Sequence, residues 1–251
     1  MSGMDETTLL AGFVIFCRIG MCLAFAPGFS SPRIPMRFRL MIALGLTVAL
    51  APGLLAATGP RTLDFDMGRI VVLIVRESAT GAALGIVARL VFSALETMFT
   101  AASMAIGLSS SFAPRVEEGD SIPELAAIVL FAVTAMLFVM DFHWEIVRAV
   151  LDSYSAMPLG SPVSSQFALS RVADTLSFAF SATFRLASPF LAFGLVSNFA
   201  FALVNKITPQ IAIYFVSTPV ILFGGLVILY SSWTDIATIF LATFRDWLVR
   251  M

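Results

Sequence analysis

From Leu40 to Ala57 the chain carries no charged residue and is apolar almost throughout. That length is close to the roughly 20 residues a helix needs to cross a bilayer. Similar apolar, helix-patterned segments are Leu9–Ala26, Ile70–Leu95, Leu125–Met140, Val172–Val204 and Ile211–Ser232. Of the 251 residues 59% are hydrophobic and only 12% charged. A soluble domain carries about a quarter charged residues, so this chain has too few to cover a water-facing surface. The chain is expected to be all-α over residues 1–251, and membrane-associated or the buried subunit of a larger assembly. The net charge of −1 leaves no basic footprint for nucleic acid.

Several of the segments are nevertheless awkward in lipid. Arg18 sits in the middle of the first, and Arg76, Glu77 and Arg89 interrupt the third. Val172–Val204 is too long for one straight span and carries Asp174, Arg185, Pro189 and Asn198, so a kink or two helices joined near Ser188–Pro189 is expected. A charge at mid-membrane is costly unless it is paired. The conflict eases if the helices pack mainly against protein and partly outside the hydrocarbon layer. Gly81 and Gly85 form a G-x-x-x-G pair that admits close approach of a second helix backbone. After Glu96, Thr97–Phe112 is rich in Ala, Ser, Met and Gly, again a surface for close contacts. Asp141–Tyr154 reads as an amphipathic helix, and Trp233–Met251 as an interfacial one. The acidic N-terminus lacks the basic region of a cleaved signal, so the first apolar segment is expected to be kept.

The long polar interruption near the middle is Gly107–Glu124. Ser109, Ser110 and Ser111 lead to Phe112 and Pro114, then to Arg115, Glu117, Glu118 and Asp120. Such a cluster marks a loop, and a loop hung from rigid helices suits a gate, plug or lid. An ordinary connection between two spans fits it equally.

Catalytic chemistry finds little footing. A single histidine, His143, leaves no histidine-rich metal site, and no Cys/His/Asp spacing resembles a ligand set. Cys17 and Cys22, five apart, point about 140° apart on a helix and read as small buried hydrophobes. No phosphate-binding glycine motif and no nucleophile elbow is present. Ser109 with His143 downstream is the nearest approach to an intramembrane serine protease, without the second glycine. No enzyme activity and no cofactor are expected.

Several blocks together resemble the FliR family of the flagellar type III export apparatus, which has a counterpart in virulence injectisomes. They are Arg18, Ala26–Pro27, Phe29, Ile34–Pro35 and Arg39; Gly81 and Gly85 ahead of Phe92 and Ala94; and Gly107-Leu108-Ser109 leading to a proline. His143 with Pro158 and Gly160 follows. The last block is Asn198 through Asn205-Lys206, Pro209-Gln210, Tyr214-Phe215, Pro219 and Gly225. Their order covers almost the whole chain. Departures are Met98-Phe99, Ser103 and Ala105, where the family has an Ala-Gly pair, a Gly and a Gln. An acidic residue ahead of Pro114 is missing, and Lys206 replaces an arginine, keeping the charge without the bidentate fork.

The resemblance implies helical hairpins in a hetero-oligomeric export gate with FliP-like and FliQ-like subunits, docked by an FlhB-like switch subunit. That gate lies in the bacterial inner membrane, within the flagellar basal body, and unfolded export substrates pass through it. By the same resemblance Gly107, Leu108, Ser109, Ser110, Ser111, Phe112 and Pro114 form a candidate channel plug. Gly81, Gly85, Asn198, Asn205, Pro209 and Gln210 are expected to pack helices. Arg18, Arg76, Glu77, Arg89, Arg185 and Lys206 are expected in buried contacts between subunits. The alternatives are an injectisome counterpart and a small-molecule secondary transporter, the latter suggested by broken helices and intramembrane charges.

Overall fold

With no water at hand in a bilayer, the backbone must satisfy its own polar groups, which favours helices from end to end. The computed structural model describes residues 6–31, 34–58, 67–107, 123–160, 165–210 and 213–249. The regular elements among them are all α-helices: α1 (Glu6–Phe25), α2 (Met36–Thr58), α3 (Met67–Ala105), α4 (Glu124–Val139), α5 (His143–Ala156), α6 (Ser165–Ile207) and α7 (Ile213–Val249). Five of them, α1, α2, α3, α6 and α7, are long and apolar enough to cross a membrane, and α4 with α5 forms a broken pair that passes the same test. An all-α membrane protein is therefore what the chain folds into.

Three helices run longer than the sequence pattern suggested. α3 continues through Glu96 for 39 residues, because no Gly or Pro interrupts Ile86–Ala105 and inward positions recur every three or four residues. Phe92, Leu95, Phe99, Ala102 and Ile106 form that buried row. The helix stops at Ala105, just before the expected start of the loop at Gly107. α7 likewise runs from Ile213 on through the supposed interfacial segment, and Ile236, Ala237, Phe240, Leu241 and Phe244 of that segment are core residues. Alternating charge hid a packed face there.

Of the kink or two helices expected at Ser188–Pro189, the two separate helices are not made: α6 is one helix of 43 residues. Proline has no N–H, so the carbonyl four residues back, that of Arg185, loses its helical donor. The Ser188 hydroxyl donates to that same carbonyl at 2.8 Å. A neighbouring serine thus supplies the missing bond, a known way for membrane helices to tolerate proline. Ser188→Ala is expected to cost about 1 kcal/mol, read as a lower melting temperature of the detergent-solubilised protein.

The chain gathers into two compact units. The first comprises residues 1–90, 141–175 and 247–251, the second 91–140 and 176–246, so α3, α6 and α7 each contribute to both. In the first, Ile15, Ile19, Cys22 and Leu23 of α1 pack with Ala43 and Leu54 of α2 and with Val150 and Tyr154 of α5. Trp247 closes it by donating its indole N–H to the Thr175 hydroxyl at 3.2 Å. The second has an aromatic centre. Phe92 meets Phe240 and Phe244 edge-on at 5.3 and 5.4 Å, and Phe99 meets Phe190 at 5.6 Å. Such edge-to-face pairs add to what burial alone contributes. Leu125, Val129, Val133 and Leu137 of α4 are buried at four-residue spacing in that unit.

Candidate functional site

In the first unit the buried charges find each other. Arg18 of α1 and Glu77 of α3 are both 0% exposed. The Arg18 guanidinium grips the carboxylate with two bonds, Nε to Oε2 at 2.6 Å and Nη2 to Oε1 at 3.0 Å. Its remaining donors reach the Ser153 hydroxyl at 3.2 Å and the Met157 carbonyl at 3.1 Å. Glu77 accepts a further bond from the Gly160 N–H at 2.9 Å. Below the guanidinium lies the Tyr154 ring, 4.0 Å from Cζ to its centroid. Both ions are thus paired and hydrogen-bonded, the condition for burying charge at tolerable cost. The network joins α1, α3, α5 and the turn that follows α5. Glu77 is the partner of Arg18 within one chain, where the sequence reading placed both against other subunits.

Glycine makes this approach possible. A Cβ at Gly81 would overlap the Arg18 carbonyl, and one at Gly85 would lie 2.5 Å from the Cys22 carbonyl oxygen. α3 therefore lies with its backbone directly on that of α1, one helical turn beyond Glu77. The spacing of Glu77, Gly81 and Gly85 by four puts all three on one face.

In the second unit the notable site is the root of the central loop. α3 ends in a turn, Ile106–Gly107, with Gly107 at φ +75. A Cβ on Gly194 of α6 would come within 2.7 Å of both the Cβ and the carbonyl oxygen of Ala105. One on Gly225 of α7 would meet the Ile106 Cδ1 at 2.7 Å. Asn198 donates its side-chain N–H₂ to the Ala105 carbonyl at 2.9 Å and to the Gly194 carbonyl at 2.8 Å. The final carbonyls of a helix have no partner within it, and Asn198 supplies one. The departures Phe99 and Ser103 do not loosen this helix. Both are fully buried, and the Ser103 hydroxyl bonds the Phe99 carbonyl at 2.7 Å.

The other residues singled out by sequence are scattered. Leu108, Ser109, Ser110, Ser111, Phe112 and Pro114 lie outside the described residues. Arg76 is exposed on α3 and donates to the Gly160 carbonyl at 3.1 Å. Arg89, Arg185 and Lys206 are exposed on the surface of this chain, as are Asn205, Pro209 and Gln210. His143 opens α5 with its Nε2 4.0 Å from the Asp141 carboxylate. Sequence reasoning missed Gly194, whose signal was available: it stands one turn before Asn198 on the same face. Ser153 and Tyr154 carried no signal, since only the fold brings α5 to Arg18.

Long, outwardly apolar helices, held by backbone-to-backbone contacts and a buried ion pair, define an integral-membrane helical protein built for close helix packing. The family model described as bacterial export proteins, family 1, matches residues 9–247. Similar proteins include the flagellar biosynthetic protein FliR of Caulobacter vibrioides, 28% identical over 233 residues, 93% of this chain and 92% of that one. FliR of Escherichia coli K12 is 26% identical, over 83% of this chain and 78% of the relative. FliR of Pectobacterium carotovorum is 23% identical, over 85% and 80%. The chain belongs to the FliR family of bacterial export proteins.

Proposed function

We propose that this chain is a non-enzymatic subunit of the flagellar protein-export gate. It sits in the bacterial inner membrane within the basal body and forms the protein-conducting channel with FliP-like and FliQ-like subunits. An FlhB-like subunit docks on the assembly, and unfolded export substrates pass through it. The 107–124 loop is its channel plug.

One observation carries the reading: three helices are too long for the membrane and too apolar outside it. α3, α6 and α7 have 39, 43 and 37 residues. At 1.5 Å per residue they extend for about 55–65 Å, against a hydrocarbon core of about 30 Å. Yet only 17% of the apolar windows of α6 and α7 is buried within the chain, and Leu195, Phe199, Phe215 and Phe223 are each at least 65% exposed. A bilayer cannot cover the whole of such a row. Helices of neighbouring subunits can, as expected of exposed apolar patches this extensive. Exposed Arg89, Arg185 and Lys206 then face those neighbours or the channel, and the relatives' names supply the flagellar setting.

The test is native mass spectrometry after co-expression with FliP-like and FliQ-like partners, with a tag at Met251. One copy in a large hetero-oligomer is expected. A stable lone monomer or homodimer would instead point to the secondary transporter. Within the assembled particle, deletion of Ser110–Asp120 is expected to leave the mass otherwise unchanged and to raise ion conductance in planar bilayers. Conductance equal to that of the intact particle would remove the plug assignment.

A further inference from the structure

We propose that Asn198 is the positioning residue of the central loop, tying its root to α6 so that the loop's departure point follows that helix. The functional half of this inference rests on the plug reading. The geometric half stands on three contacts made at two consecutive positions, Ala105 and Ile106, and on the turn at Gly107. Ala105 is held by the Asn198 side-chain amide at 2.9 Å and pressed against Gly194, where no Cβ fits. Ile106, 1% exposed, is seated on Gly225 of α7. Gly107 then turns the chain away at φ +75, a conformation open to glycine without strain.

The same amide of Asn198 also bonds the carbonyl of Gly194, its own helix neighbour one turn back. That second bond fixes the side-chain rotamer, so the bond to Ala105 has little freedom to swing. Because Gly194 brings α6 against the α3 backbone itself, a shift of α6 must move Ala105, with no flexible side chain between them. α7 meets the root through the Ile106 side chain. Asn205, seven residues on and therefore on the same face, is exposed as Asn198 is, and is the natural control.

The experiment uses the complex with its FliP-like and FliQ-like partners in nanodiscs, comparing Asn198→Leu, Asn198→Asp and Asn205→Leu. Leucine and aspartate are close to asparagine in size, and neither ionised aspartate nor leucine can donate to a carbonyl. Amide hydrogen exchange at Ile106 and Gly107 is measured with native mass and bilayer conductance. Both Asn198 variants are expected to raise exchange at these amides by up to about tenfold, the loss of one hydrogen bond. Conductance should rise toward that of the loop deletion at unchanged mass, and Asn205→Leu should change none of these. Unchanged exchange in the Asn198 variants would overturn the anchor. So would loss of assembly in both, since the amide would then hold the unit together and not the root. Raised exchange with closed channels, while the loop deletion leaks, would overturn the coupling. If the deletion itself does not leak, the plug reading fails and exchange alone decides whether Asn198 anchors the root.

Discussion

Glu77→Ala is expected to destabilise the chain by about 3–5 kcal/mol, the cost of leaving one partner of a buried ion pair uncompensated. The reason is geometric. Arg18 is fully buried, and Glu77 is the carboxylate that balances its guanidinium. Without Glu77, two of its donors and the Gly160 N–H lose an acceptor together. The change is read as a fall in thermal stability and in the yield of monodisperse particle from detergent. Two further variants separate charge from packing. Tyr154→Phe keeps the ring under the guanidinium and removes a buried hydroxyl that has no partner among the described residues. It is expected to change stability by no more than about 0.5 kcal/mol. Replacing Arg18 and Glu77 together by methionine should recover part of the loss. Recovery stays incomplete because the Met157 carbonyl and Gly160 N–H, at the turn after α5, still lack partners. Wild-type stability in Glu77→Ala would show that the pair is dispensable.

Gly81→Leu carries the second large effect, and it needs no charge. A side chain at this position collides with the backbone of α1, which has no rotamer by which to yield. Even Gly81→Ala must push the helices apart, and overpacking of this kind costs about 1–3 kcal/mol. The leucine is expected to exceed that range and to separate Arg18 from Glu77, since both lie within a turn of the contact. Gly45→Leu is the matched control. Nothing lies within 4 Å of the Cβ position there, so stability should be kept. Equal stability of the two leucine variants would refute the close α1–α3 approach.

Much of this architecture was legible in the sequence. The apolar runs and scarcity of charge determined an all-helical membrane chain, since only self-satisfied helices fit that composition in lipid. The G-x-x-x-G spacing marked the packing face of α3, and the ordered blocks along the chain marked the family. Helix extents were misjudged where an apparent breaker was answered by a neighbouring side chain or by a distant packed face. Pro189 reads as a break until Ser188 is seen bonding the Arg185 carbonyl. The mixed charges of residues 233–249 read as an interface until Phe240 and Phe244 are seen packed on Phe92. Above all, a charge in an apolar helix states only that a partner must exist. Which partner it is depends on residues 59 and 135 positions away meeting at Arg18, and on the α3 end settling against Gly194 and Asn198. Periodicity along one helix cannot carry that information, because hydrogen bonds and close contacts of this kind are fixed only when separate helices dock.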